Sequence, residues 1–250
     1  GAQDGGGDYY RGCGCYEKAI DIDKKDDTEY YLEFYGVNSV CNVFVNGVHI
    51  GEHRGGYTLF RFNITAAVQN GKNEIAVTAD NSPFPNVIPL TADFTFFGGI
   101  YREVNLIEVK GAHFSLDDFG SDGVYISYPN NCDVAECANT SVRAKICGAD
   151  SDCVMQVSIY EQSAFEACRY IDTVDFDSDQ IVSGNCAPIA EETAEISGGR
   201  AQTVIPVRNP KLWDGRRAPY RYKVVCTLMQ NGEETDRVEK YIGYRYFKID

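Results

Sequence analysis

The chain has 250 residues, of which 37 are acidic and 23 are basic, so its formal net charge at pH 7 is -14. This acidic excess repels phosphate backbones and anionic lipid surfaces, so we expect neither nucleic acid nor a membrane as a partner. A chain of this length can bury roughly 70% of its unfolded surface, and hydrophobic burial alone can therefore form a core in one large domain or two ordinary ones.

The first ten residues, GAQDGGGDYY, have neither the basic start nor the apolar run of a signal peptide. No stretch approaches the roughly 20 apolar residues of a membrane helix. We therefore expect a cytoplasmic location. Thiols stay reduced in that compartment, and the ten cysteines form no CxxC pair, so we interpret them as buried thiols rather than as disulfides or metal ligands.

Alternating apolar and polar residues, the pattern of half-buried strands, recur along the chain. Asn46-Gly47, between NVFV and VHIG, predicts a hairpin, because its turn needs two residues that adopt positive φ. Alternation predicts further strands in VRAKI at 142–146, CVMQVSIY at 153–160 and YKVVCTL at 222–228. The last strand, the turn QNGEE at 230–234 and the returning run VEKYIGYRYFKI at 238–249 together predict a second hairpin. These features predict an all-β fold.

Short strands separated by turn signals over this length favour two stacked-sheet domains over one barrel. The strand pattern YREVNLIEV ends at Lys110-Gly111, and a strand-poor stretch follows it. We therefore expect one domain over residues 1–110 and a second over residues 111–250.

Two motifs suggest catalytic chemistry but fit other structures better. His49, Glu52 and His53 spell the HxxEH zinc-protease pattern, yet on a strand two histidines four residues apart lie about 13 Å from each other, too far to share one zinc ion. Asn73-Glu74 resembles a dipeptide that carries the general acid of many glycosidases, but it follows a turn and is interpreted as a solvated carboxylate. The residues alone indicate two β-sandwiches with no evident catalytic apparatus.

Three segments resemble the non-catalytic front end of glycoside hydrolase family 2, the β-galactosidase, β-glucuronidase and β-mannosidase group. They are FYGVNSVCNVFVNGVHIGEHRGGYTLFRFNIT at 34–65, DFTFFGGIYREVNLI at 93–107, and NPKLWDGRRAPYRYKVVCTL at 209–228 with the distal IGYRYFKID at 242–250. The resemblance implies a galactose-binding-like jelly-roll sandwich over residues 1–110 and an immunoglobulin-like sandwich over residues 111–250.

The sequence departs from the family pattern at both ends. Family members have a further strand before the part that resembles GGGDYYRGCGCYEK, and they continue past the part that resembles GYRYFKID into a (β/α)₈ barrel. That barrel carries the two glutamates of a retaining mechanism, whose carboxyl groups lie about 5 to 5.5 Å apart. The resemblance thus implies that the missing barrel of the same chain is a partner of this segment, and that the segment itself holds no catalytic residue and no cofactor.

Two residues match substrate-binding positions of the family. Asn38 matches an asparagine that reaches galactose in the β-galactosidase branch, which favours a β-galactoside as the substrate. Asp93 matches an aspartate that lines the substrate pocket and, in some galactosidases, holds an alkali cation beside the sugar. From residue chemistry alone, Asn38 could instead close an Asx-turn, and Asp93 could pair with Arg102 or cap a turn.

The leading hypothesis is therefore the sugar-binding and scaffold portion of a β-galactosidase, which can assemble as a homo-oligomer. The alternatives are an autonomous carbohydrate-binding module, which needs exposed aromatic rings, and a structural sandwich pair that binds no sugar. We assign the aromatic residues Phe94, Phe96, Phe97 and Tyr101 to packing, because alternation directs half of them toward a core. Trp213, the sole tryptophan, is expected to lie in the core of the second sandwich.

Overall fold

The computed structural model describes residues 10–88, 96–129, 131–162 and 187–247. Seventeen strands and one 3-10 turn, Cys132–Ala135, are found among them, so the all-β prediction is confirmed. The chain forms two compact units. Unit 1 contains Gly1–Lys110 and Leu116–Ser121, and unit 2 contains Gly111–Ser115 and Asp122–Asp250. A single division between residues 110 and 111 stays a prediction. No helix of the described residues is long and apolar enough to cross a membrane.

Unit 1 is a sandwich of two antiparallel sheets. Its nine strands are β1 (Cys13–Ile22), β2 (Thr28–Phe34), β3 (Val37–Asn38), β4 (Val40–Val45), β5 (Val48–Arg54), β6 (Phe60–Asn63), β7 (Gly71–Asp80), β8 (Gly99–Ile100) and β9 (Val104–Lys110). One sheet has the order β1-β7-β4-β5 and the other β6-β2-β9, while β3 pairs with β8 in a short two-stranded ladder. The core lies between the two larger sheets, where Phe34 of β2 and Val77 of β7 are buried.

Unit 2 is also a sandwich of antiparallel sheets. Its strands are β10 (His113–Phe114), β11 (Val124–Ser127), β12 (Cys137–Cys147), β13 (Cys153–Glu161), β14 (Ala190–Glu195), β15 (Arg200–Arg208), β16 (Tyr222–Gln230) and β17 (Glu233–Ile242). In one sheet β12 pairs with β10, β11 and β15, and the other has the order β14-β13-β16-β17. Inward-facing residues of both sheets, such as Ile205 and Leu228, form one core.

Both predicted hairpins are present. Asn46 and Gly47 have φ values of 50° and 79°, and Asn231 and Gly232 have values of 53° and 80°. These left-handed conformations are what a two-residue hairpin turn requires, and Asn and Gly adopt them at little cost. The turns set the pairing of β4 with β5 and of β16 with β17.

Two central strands are buried on both faces, which alternation did not predict. In β16, Lys223 is buried as well as the inward-facing residues, and its ammonium group pairs with Glu239 of β17. In β2, the outward-facing Glu33 is buried and pairs with Arg61, whose guanidinium also donates to the carbonyl of Ser121 at 2.6 Å. Buried charges of this kind need partners that satisfy them.

The cysteine prediction holds only in part. Cys41, Cys153 and Cys226 are buried, and burial raises the pKa of both the Cys41 and the Cys226 thiol to about 12, so these groups stay protonated. Cys13 and Cys15 are exposed because they lie on the face of β1 that points away from the core, whereas Ile20 and Ile22, in the alternate register, pack against it. For these two residues the prediction of burial was wrong.

The placement of Trp213 also differs from the prediction. Its ring is half-buried rather than part of the core, and it packs against the backbone of Gly243 and under the guanidinium of Arg245, 5.2 Å from the ring centroid. The core position is taken instead by Tyr244, which is fully buried. The indole therefore packs against the start of the segment that follows β17.

Candidate functional site

A cleft of about 290 Å³ opens in unit 1, beyond the end of β7. Its wall includes Arg11, Asn38, Ser39, Asn81, Phe84 and Phe96. The backbone carbonyl of Asp80, the last residue of β7, accepts hydrogen bonds from both the amide and the hydroxyl of Ser39, each at 3.0 Å. The end of β7 is thereby tied to the residue that follows β3.

Asn38 lies in β3, on the wall of this cleft, as a largely buried residue. Its Nδ2 donates to the carbonyl of Phe97 at 2.6 Å, and its backbone pairs with Gly99 across the β3–β8 ladder. The peptide bond between Asn38 and Ser39 is cis. No described residue donates to its Oδ1, which packs against Gly56.

Gly56 can lie close to the side chain of Asn38 because glycine has no Cβ atom. A methyl group on Gly56 would lie 3.0 Å from Cγ of Asn38 and closer still to its Oδ1, a distance that real Cβ atoms do not reach. Glycine at this position therefore leaves room for the amide. The Gly55-Gly56 pair in the sequence indicates such a close approach, although it does not name the side chain involved.

Asp93, the second predicted site residue, lies outside the described residues, and so does Phe94. The alternative partner considered for Asp93, Arg102, donates from Nη1 to the carbonyls of Tyr35 and Tyr57 at 3.2 and 3.4 Å. Arg102 also lies over the ring of Tyr101, 5.1 Å from its centroid. The role of Asp93 and its alkali cation stays a prediction.

The aromatic residues of this region are not all packed in the core, as the sequence suggested. Phe96 is half-buried on the cleft wall, and Tyr101 and Phe97 are exposed by 43% and 70%. Phe97 was assigned by alternation, but residues 96–98 are not in a strand. Alternation therefore does not apply to its side chain, and the prediction of packing was wrong for this ring.

Asn81 is a cleft residue that sequence reasoning missed. It follows β7 and continues the inward register of Val77 and Ala79, and it is 3% exposed. An asparagine at an inward position just after a strand was the available signal, because a buried amide must have hydrogen-bond partners. Its Oδ1 accepts from the amide of Gly12 at 2.8 Å.

Arg11 provides the positive charge of the described cleft wall. Its Nε donates to the backbone carbonyl of Asn81 at 3.3 Å, and its guanidinium lies over the ring of Phe96, 5.4 Å from the centroid. The described lining residues include no carboxylate. With amides, hydroxyls and one guanidinium, this surface can hold hydroxyl groups or an anion, but it offers no general acid or base.

Two family models match the chain. The model described as "Glycosyl hydrolases family 2, sugar binding domain" matches residues 6–110, and the model described as "Glycosyl hydrolases family 2" matches residues 139–245.

Relatives named as two kinds of glycosidase are similar to nearly the whole chain. A β-glucuronidase of Bacteroides fragilis is 36% identical, and the alignment covers 97% of this chain and 33% of the relative. A β-galactosidase of Bacteroides ovatus is 29% identical over 98% of this chain and 26% of the relative. The crystal structure of a Bacteroides uniformis β-glucuronidase superposes with a TM-score of 0.77 at 28% identity, over 97% of this chain and 27% of that one. The chain thus spans a third or less of each.

Proposed function

Since this chain belongs to glycoside hydrolase family 2, we propose that it forms the non-catalytic amino-terminal portion of a retaining β-glycosidase and supplies part of the wall of the active site. The observation that carries this proposal is the order and extent of the family matches, which account for most of the chain, whereas the chain covers a third or less of the relatives. The catalytic glutamates then belong to a barrel elsewhere in the same polypeptide.

In this proposal Asn38 and Asp93 contact the substrate. A side-chain amide both donates to and accepts from sugar hydroxyls, and an ionised carboxylate accepts strong hydrogen bonds from them. An auxiliary domain beside the open end of a barrel can provide such groups from its loops. The cleft in which Asn38 lies supports the first assignment. The described lining of the cleft holds no carboxylate that could bind an alkali cation, so Asp93 is the one ligand proposed for it.

We propose a terminal β-galactoside as the substrate, because Asn38 matches the asparagine that reaches galactose in the β-galactosidase branch of the family. A β-glucuronide is the second candidate. Two observations favour it: the 36% identity to a named β-glucuronidase, and the guanidinium of Arg11 in the same cleft, which could pair with a sugar carboxylate.

The test uses the full-length enzyme that contains this chain. We expect it to hydrolyse 4-nitrophenyl β-galactoside with a kcat/KM at least about tenfold higher than that for 4-nitrophenyl β-glucuronide, a ratio that one well-placed hydrogen bond can produce. A kcat/KM at least about tenfold higher for the glucuronide would instead assign a β-glucuronide as the substrate. Failure to hydrolyse either would contradict the proposed function.

We further expect Asp93→Ala in the full-length enzyme to lower kcat/KM at least about tenfold, because a hydrogen bond to a charged group contributes about 1.5–3 kcal/mol. The thermal unfolding temperature should stay within a few degrees of the wild-type value. Asp21→Ala is the control, since Asp21 is an exposed carboxylate on β1 and does not line the cleft. If Asp93→Ala kept the wild-type kcat/KM, Asp93 would not be a substrate-binding residue.

A further inference from the structure

A buried asparagine lies near each end of β7, in its inward register. Asn73, near its start, is fully buried, and Asn81 follows its last residue at 3% exposure. Between them the inward positions are apolar, as in Val77 and Ala79. A polar group retained at a buried position needs hydrogen-bond partners, and the two asparagines find theirs in different places.

Asn81 ties together two segments of chain that are far apart in sequence. Its Oδ1 accepts from the amide of Gly12 at 2.8 Å, and its Nδ2 donates to the carbonyl of Phe96 at 2.9 Å and to that of Tyr10 at 3.4 Å. These bonds fix the backbone on both sides of Arg11 and at Phe96. One planar amide thus holds both members of this cation–π pair on the cleft wall.

The neighbouring backbone is shaped to receive this amide. A methyl group on Gly98 would lie 2.8 Å from Cγ of Asn81, so only glycine allows the chain after Phe96 to pass so close. Asn38 holds the next carbonyl of the same stretch, that of Phe97. Two buried amides therefore bind two successive carbonyls of residues 96–97.

We propose that Asn81 is a positioning residue for substrate recognition, which acts by fixing Arg11 and Phe96 in the wall of the cleft. This inference rests on the proposed function, because it requires that the cleft faces the substrate. Only a group that both accepts and donates can serve here. A carboxylate would still accept from Gly12 but would place a negative charge against the carbonyl of Phe96.

Asn73 provides a matched control. Its Oδ1 accepts from the amide of Gln69 and from Nδ2 of Asn46, and its Nδ2 donates to the carbonyls of Gln69 and Gly71, all at 2.8–2.9 Å. It is therefore as buried and as fully bonded as Asn81, but it does not line the cleft. Replacing either by aspartate introduces the same charge and removes the same donor.

The experiment compares Asn81→Asp with Asn73→Asp in the full-length enzyme, by steady-state kinetics and thermal unfolding. We expect both variants to lower the unfolding temperature, but only Asn81→Asp to raise KM, about tenfold, with kcat changed less than about threefold, because a misplaced wall weakens ground-state and transition-state binding alike. Gly98→Ala displaces the Asn81 amide without changing its chemistry, so it should give the same rise in KM. It replaces Asn81→Asp in this comparison if Asn81→Asp does not fold.

An unchanged KM in the folded variants, or an equal rise in Asn73→Asp, would overturn the assignment of Asn81 while leaving the proposed function in place. If the wild-type enzyme hydrolyses neither glycoside, the proposed function fails and this assignment fails with it. The wild-type assay therefore separates the two outcomes before any variant is compared.

Discussion

Replacing Tyr244 with alanine will lower the free energy of unfolding of unit 2 by about 4 kcal/mol, because removing a large aromatic side chain from a packed core loses its burial and leaves a cavity. Tyr244 is fully buried, and its ring packs edge-on against Tyr128 and tilted against Tyr222, with centroids 5.1 and 4.9 Å apart. Its hydroxyl lies 2.7 Å from Oγ1 of Thr140, which is also buried. Burial raises the pKa of this phenol above its usual range.

Urea unfolding followed by the fluorescence of Trp213 measures this change. The indole packs against Gly243, next to Tyr244, and it is the only tryptophan in the chain, so its signal reports on unit 2. Tyr246→Ala is the control, because Tyr246 belongs to the same segment but is 40% exposed, and its loss should cost about 0.5 kcal/mol or less. Equal losses in the two variants would show that Tyr244 is not a core residue.

Replacing Glu33 with glutamine will destabilise unit 1 by about 3 kcal/mol, because it leaves the guanidinium of Arg61 buried without a counter-charge. The two side chains are 6% and 11% exposed, and Nε of Arg61 lies 2.5 Å from the carboxylate. Nδ2 of Asn105 donates to the other carboxylate oxygen at 3.3 Å. The charge of Glu33 also raises the pKa of the nearby Tyr35.

Far-UV circular dichroism during urea unfolding follows both units, whereas Trp213 fluorescence reports on unit 2. Glu33→Gln should therefore shift the dichroism transition to a lower urea concentration. The control is Glu52→Gln, which breaks the exposed pair of Glu52 with Arg54, at 2.7 Å, and should cost less than about 1 kcal/mol. If Glu33→Gln lowered the free energy of unfolding by less than about 1 kcal/mol as well, the buried ion pair would not be needed for stability.

The fold class could be predicted because it depends on local signals. Alternation in 142–146 predicts which face of β12 is buried, and the observed pattern has Val142, Ala144 and Ile146 inside. The two Asn-Gly turns predict hairpins because few other residues accept positive φ at both positions. Each of these signals lies within about ten residues of chain.

The burial of the outer faces could not be predicted in this way. Alternation identifies two faces of a strand but does not reveal what covers the second one. Glu33 on β2 is buried beside Arg61, which also donates to Ser121, and Lys223 on β16 is buried beside Glu239 of β17. These contacts depend on the tertiary fold, so a charged residue in a strand pattern is read as exposed.

The candidate site was predictable only where a motif pointed to it. The resemblance identified Asn38, which lines the cleft, and Asp93, which lies outside the described residues. Asn81 was missed because its partners, Gly12 and Phe96, are 69 and 15 residues away. When a buried amide binds backbone segments that are distant in sequence, the only signal in the sequence is a polar residue at an inward position of a strand.

We propose that this chain shapes a glycosidase active site but does not itself break glycosidic bonds. The most direct test of this proposal is the turnover of 4-nitrophenyl β-galactoside and β-glucuronide by the purified 250-residue chain, measured beside the full-length enzyme at equal molar concentration. We predict hydrolysis of one of the two by the full-length enzyme and no turnover above buffer by the chain. Turnover by the purified chain, proportional to its concentration, would contradict the account.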